Sequence, residues 1–183
     1  RDGALPLRPG SGQPGWRPWS PSAAGWSASG DRPTFHIVTG ISTGALIAPF
    51  AFLGPQYDAQ LKEAYTTIST KDLLKQRNFF QIITGDAVAD TRPFMDQLRK
   101  YITPIMLQEI AAAHNRARRL FIGTTNLDAK RPVIWNIGAI ASSGHPDALQ
   151  LVHKIILASA SIPSAFPPVY IEVQADGVNY DEM

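Results

Sequence analysis

Phe35-His36-Ile37-Val38-Thr39-Gly40-Ile41-Ser42-Thr43-Gly44-Ala45-Leu46 is the stretch whose reading decides the fold. An apolar run, read as a strand over 35–39, leads into Gly-x-Ser-x-Gly and straight out into a helix-forming run. That order is a nucleophile elbow, in which a serine sits on a tight strand-to-helix turn with its hydroxyl exposed. Ser42 is therefore the candidate catalytic nucleophile. Gly40 and Gly44 suit the spacing, because a side chain at either place is expected to crowd the turn and its neighbours. The helix beyond aims free N–H groups and its positive dipole end at the serine. An oxyanion formed there would be held by those donors, the N–H of Thr43 among them.

Working outward, the composition narrows the class. The chain has 183 residues, enough for one domain with a sizeable core. A 17% share of charged residues and a net charge of +2 give no footing for nucleic-acid binding. The densest basic run, Arg116-Ala117-Arg118-Arg119, reads as a solvated helix end. Cysteine is absent, so disulfides, thiol catalysis and Cys-ligated zinc are excluded within these residues. No His/Asp/Glu set has ligand spacing, so neither a metal nor a cofactor is expected. The longest apolar stretch, 45–53, is too short to span a bilayer and contains Pro49. The first thirty residues hold no continuous apolar run of the secretory type. None of this fixes a compartment.

Residues 1–30 differ from the rest. Sixteen of them are Pro, Gly or Ser, and Trp16, Trp19 and Trp26 fall among them without period, which predicts coil. Gly10-Ser11-Gly12-Gln13-Pro14-Gly15 matches a dinucleotide-binding pattern only formally: no strand precedes it and Pro14 disrupts the turn. The domain proper is read over 31–183. A helix from Thr43 to about Leu53 stops at Gly54-Pro55. Tyr57, Leu61, Ala64, Tyr65 and Ile68 share one face of a helix over 57–69. Another helix starts at Thr91-Arg92-Pro93 and carries Phe94, Met95, Leu98, Tyr101 and Ile102; Thr103-Pro104 starts the next, which runs to about Arg116. Strands are expected at 119–124 and 132–137, around the turn Asn126-Leu127-Asp128-Ala129. A buried helix is expected from about Pro146 to Ala158, and a last strand at 169–173 before an Asp176-Gly177 turn. Strands alternating with helices predict an α/β fold with a mainly parallel sheet and helices on both faces.

Three segments, in this order, carry a family likeness: Thr39-Gly40-Ile41-Ser42-Thr43-Gly44-Ala45-Leu46; Gly123-Thr124-Thr125-Asn126-Leu127-Asp128 with Arg131-Pro132-Val133-Ile134-Trp135; and Leu157-Ala158-Ser159-Ala160-Ser161-Ile162-Pro163 with Phe166-Pro167-Pro168-Val169. From about Gly25 to Met183 the chain resembles the bacterial patatin-like phospholipases. The resemblance implies a three-layer α/β/α domain that hydrolyses acyl esters of lipids, with peripheral contact to a membrane. It also implies a Ser–Asp dyad without histidine, Ser42 taking the nucleophile's place. The family's aspartate lies in an Asp-Gly-Gly or Asp-Gly-Ala motif just beyond a Tyr-Asp-Glu-Met-like segment, and this sequence ends at Tyr180-Asp181-Glu182-Met183. Asp181 is then a neighbour of the dyad acid, and no dyad acid is expected in the chain. The family's glycine-rich oxyanion loop belongs upstream of Gly25, where the Pro/Trp/Ser-rich segment stands. The resulting expectation is a domain incomplete at both ends, with an impaired serine.

Two other functions compete. One is a non-catalytic remnant that binds lipid or a partner through the same cleft. The other is an α/β-hydrolase with a histidine triad, for which Ser42, Asp128 and His145 have the required order. Against it, Asp128 reads as a turn residue bonding its own backbone. His36 lies in the strand before the elbow, His114 near a helix end and His153 inside the apolar helix. Asp86, Asp90 and Asp96 read as helix-start residues, and Ser159 and Ser161, flanked by alanines, as close-packing positions.

Overall fold

The computed structural model describes Ser27 and residues 32–64, 91–161, 166–175 and 178–182. The coil expected for 1–30, Asp86, Asp90, and Tyr65 and Ile68 of the 57–69 helix lie outside these residues, Ser27 apart. Strand β1 (Ile37–Ile41) leads through Ser42 into α1 (Thr43–Leu53), followed by a 3-10 turn (Pro55–Tyr57) and a helical stretch over 58–64. Helices α2 (Arg92–Tyr101) and α3 (Pro104–Asn115) precede the hairpin β2 (Arg119–Asn126) and β3 (Arg131–Asn136). Then come α4 (Ile137–Ser142), α5 (Ala148–Ala160) and the hairpin β4 (Ile171–Ala175) with β5 (Val178–Glu182).

The order β1-β2-β3 forms one sheet, in which β1 and β2 are parallel and β2 and β3 antiparallel. The sheet expected to be mainly parallel is thus mixed over the described strands. The cause is the length of the connections. Between β1 and β2 the chain has room for a helical crossover, whereas Leu127–Lys130 allows only a reversal. Asn126 makes that reversal: its buried side chain accepts from the Ala129 N–H, and Lys130 takes φ 51°. Asp128, the residue expected to make that bond, is exposed in the turn.

The first strand runs over 37–41, not 35–39. The Phe35 carbonyl accepts from Arg118 Nε at 2.9 Å, which takes it out of the ladder, and pairing begins where Ile37 meets Arg119. Helix α4 contradicts the strand expected to reach Ile137. Asn136 caps it, its Oδ1 accepting from the Ala139 N–H at 3.0 Å. The last strand likewise sits two residues later than expected, at Ile171–Ala175.

Alternation along the strands sorts the side chains. Leu120 and Ile122 are fully buried in one core with Ala45, Ala48 and Phe52 of α1, Met106 and Ile110 of α3, and Val152, Ile155 and Ile156 of α5. On the other face Ile37, Ile41 and Ile134 are exposed. Helix α1 is buried on nearly every side, which explains why its sequence is apolar throughout rather than striped. The described part is a mixed α/β domain, a three-stranded sheet flanked by helices.

Candidate active site

Ser42 occupies the turn between β1 and α1, at the C-terminal end of the strand, and is exposed. Its backbone has φ 55° and ψ −126°, outside the regions an ordinary residue favours. Strain of this kind persists only where the surroundings enforce it, and it is what a nucleophile elbow requires. The Ser42 side chain makes no capping bond to α1, so its hydroxyl is not engaged in holding the helix end. Its carbonyl accepts from the Ala45 N–H at 2.9 Å, the first helical bond. Thr43 opens α1, where an N–H has no intrahelical acceptor.

Gly40 and Gly44 play different parts. A Cβ on Gly40 would stand 2.5 Å from the Gly44 carbonyl oxygen and 2.8 Å from Ala48 Cβ, so only glycine lets strand and helix approach this closely. A Cβ on Gly44 would meet nothing within 4 Å. The crowding expected at Gly44 is therefore absent, and that position borders open space at the mouth of the turn.

A residue expected to serve only close packing joins the site. Ser159 Oγ accepts from the Ser42 N–H at 2.9 Å and donates to the Gly123 carbonyl at 2.7 Å. Its position 117 residues away in sequence, between two alanines, gave no local signal of this role. Ser161 instead donates to the Leu157 carbonyl at 2.8 Å, an ordinary bond to its own helix. Next to the bridge, Thr124, Thr125, Asn126, Val133, Trp135, Ala158, Val169 and Ile171 line a shallow, largely apolar cleft. Trp135 Nε1 donates to Thr124 Oγ1 at 2.8 Å and fixes its wall.

No histidine is placed to act on Ser42. Since Ser159 marks the elbow, His153 lies six residues away along α5, roughly 9 Å, and His145 precedes the helix, more than about 16 Å away along the axis. His153 Nε2 is bonded to the Ile102 carbonyl at 2.8 Å, which makes that nitrogen the donor. Burial pushes its pKa down, against the opposing effect of this bond. His145 is exposed, its Nδ1 accepting from the Asp147 N–H. His36 sits at the opposite end of β1, roughly 20 Å of strand from Ser42. His114 is at that same edge: its carbonyl accepts from the Arg119 guanidinium at 3.0 Å, and its ring lies against Gly138. The Ser42, Asp128, His145 order is thus not assembled. Asp96 pairs with Arg99 at 3.2 Å on the surface of α2, whose cap position is Thr91. Among the described residues no group of His, Asp and Glu is arranged to hold a metal ion, and no helix is long and apolar enough to cross a membrane.

The tripeptide Asp-Gly-Ala does occur in the sequence, as Asp2-Gly3-Ala4, ahead of the elbow and outside the described residues. It does not follow the Tyr180–Met183 segment, as the dyad motif of the resembled family does. The backbone of Asp181 lies in β5, paired with Glu172.

No curated protein and no solved structure matches the chain. A family model described as patatin-like phospholipase matches residues 22–181, from before β1 to the end of β5 but for one residue. With a match over most of its length, the chain belongs to the patatin-like phospholipase family.

Proposed function

We propose that the chain is a serine acyl hydrolase acting on lipid esters, with Ser42 as nucleophile. The observation that carries the proposal is the backbone of Ser42, at φ 55° in an exposed strand-to-helix turn, within a chain of a phospholipase family. In this reading Ser42 Oγ attacks the ester carbonyl. The Thr43 N–H and the positive end of α1 face the oxygen that takes up the charge. The base in this reading is a carboxylate in a Ser–Asp dyad, as in the family the chain resembles. The placement of all four histidines away from Ser42 supports a dyad over a triad. The apolar cleft beside Trp135 and Val169 lies next to the Ser42–Ser159 bridge, and exposed Ile41 and Ile134 give the opposite face of the sheet a surface for peripheral contact with lipid.

The mechanism sets a magnitude. General-base activation contributes about 10²–10⁴-fold, and one oxyanion donor about 10²–10³-fold. Residues 1–183 alone are therefore expected to hydrolyse a short acyl ester feebly, and the chain extended by its native flanking sequence to do so far faster. Ser42→Ala in the extended chain should remove the gained turnover. Equal Ser42-dependent turnover by both lengths would show that another carboxylate is the base. No turnover by either would favour a non-catalytic lipid- or partner-binding role.

A further inference from the structure

The hydrogen bonds of the parallel ladder have a phase. The Arg119 N–H donates to the His36 carbonyl at 2.8 Å, and Arg119 stands opposite Ile37. In a parallel pair such a residue bonds the strand residues on either side of its partner, so the pattern repeats at Phe121 and again at Gly123, opposite Ile41. The next rung should run from the Ser42 N–H to the Gly123 carbonyl. It does not form directly. The Ser42 N–H goes to Ser159 Oγ at 2.9 Å, and Ser159 Oγ goes on to the Gly123 carbonyl at 2.7 Å.

We infer that the Ser159 hydroxyl is a positioning residue that occupies the last rung of the β1–β2 ladder and thereby holds the elbow open. The assignment rests on Ser42 being the nucleophile. The hydroxyl is both acceptor and donor here, as only a side chain carrying one proton and free lone pairs can be. It spreads the two strands by the width of an oxygen at the residue where β1 must leave the sheet, and Ser42 takes its positive φ at that point. Without it the Ser42 N–H and Gly123 carbonyl can close on each other. The strand then continues one residue further, and Ser42 moves from the mouth into the ladder. Such a shift affects chemistry more than binding, because a misplacement of about 1 Å can cost roughly 10²-fold in rate.

The test reads the rung directly and the chemistry separately. Exchange of the Ser42 amide proton, followed by NMR on the wild-type chain, should be slower than for an unbonded exposed amide by about 5–10-fold or more, as one net hydrogen bond implies. Exchange at the unprotected rate would overturn the inference without any variant. Ser159→Ala should change the Ser42 amide exchange and chemical shift, and Ser159→Thr, which keeps the hydroxyl, should restore both. An unchanged Ser42 amide in Ser159→Ala would also overturn it. With an alkyl fluorophosphonate probe on the chain carrying its native flanking sequence, Ser159→Ala should lower the maximal labelling rate of Ser42 by about 10–100-fold, with little change in the half-saturating probe concentration. Ser159→Thr should recover most of that rate. Equal maximal rates in wild type and Ser159→Ala would contradict the inference. If wild type itself is not labelled at Ser42, the hydrolase reading fails, while the amide measurement still decides the rung.

Discussion

The two ends of α1 are built in opposite ways. At the C-terminal end, three successive carbonyls are taken by arginines: Arg32 Nη2 donates to Phe50 and Ala51, at 3.4 and 3.2 Å, and Arg118 Nη2 donates to Phe52. Arg32 also pairs with Asp58 at 2.5 Å, its side chain only 2% exposed, and the Arg118 guanidinium lies 4.3 Å over the Phe52 ring. Burial, and then the neighbouring Arg116, lower the pKa of Arg118, yet a guanidinium stays charged at any ordinary pH. Two cations thus answer the negative pole of the helix and anchor it. At the N-terminal end no side chain caps the helix, the turn residue is strained, and Ser42 is exposed. The contrast separates the two ends: one is anchored by side chains from elsewhere in the chain, and the other is left uncapped and open to solvent.

The largest effect should come from breaking the anchored end. Arg32→Met leaves the Asp58 carboxylate largely buried without its partner, and removal of one member of a buried pair costs about 3–5 kcal/mol. A urea-denaturation midpoint should fall accordingly. A loss under about 1 kcal/mol would mean that the anchor contributes little. Next is Gly40→Ala, whose Cβ would press on the Gly44 carbonyl and Ala48 and cost about 1–3 kcal/mol in thermal unfolding. Unchanged stability would show that strand and helix can part freely at the elbow.

A smaller effect distinguishes structural from catalytic histidine. The pKa of His153 is depressed by burial, so the folded chain prefers the neutral ring. Its contribution is complete above the unfolded value of about 6.5 and is lost as pH falls through that value toward the lower folded one. The melting temperature should therefore drop on acidification below about pH 6.5, and His153→Gln should flatten that slope without altering Ser42 reactivity. Altered reactivity would place His153 in the chemistry. The smallest effect is expected at Gly44→Ala, where the added methyl meets open space and a helical alanine gains about 0.5–1 kcal/mol over glycine. Marked destabilisation would contradict the difference between the two glycines.

How much was legible follows from the range of each interaction. The elbow, the stop of α1 at Gly54-Pro55 and the start of α3 at Thr103-Pro104 are local, and a few neighbouring residues announce them. The turn at 126–129 is visible in the sequence, but the mainly parallel sheet expected from strand–helix alternation assigns no direction to this pair, which depends on β2 and β3 meeting. Helix α4 was hidden because apolar Ile137 extends the pattern of β3, although Asn136 is a standard cap for the helix it begins. Arg32 gives no signal; Arg118, expected on a solvated helix end, is instead half-buried against Phe52 and bonded to the Phe35 and Phe52 carbonyls; and Ser159 reads only as a packing position. Each acts on α1 or its entry from far along the chain, 18, 66 and 117 residues from the group it bonds, and an arginine or serine alone does not reveal which carbonyl or amide it will meet.

The central claim, that Ser42 is the reactive serine of this domain, is tested most directly by mapping a fluorophosphonate adduct by mass spectrometry on the chain carrying its native flanking sequence. The account predicts a single stoichiometric adduct on the peptide containing Ser42, formed about 10² or more times faster than on residues 1–183 alone and absent in Ser42→Ala. An adduct on a different serine, or labelling and ester hydrolysis that persist in Ser42→Ala, would contradict it.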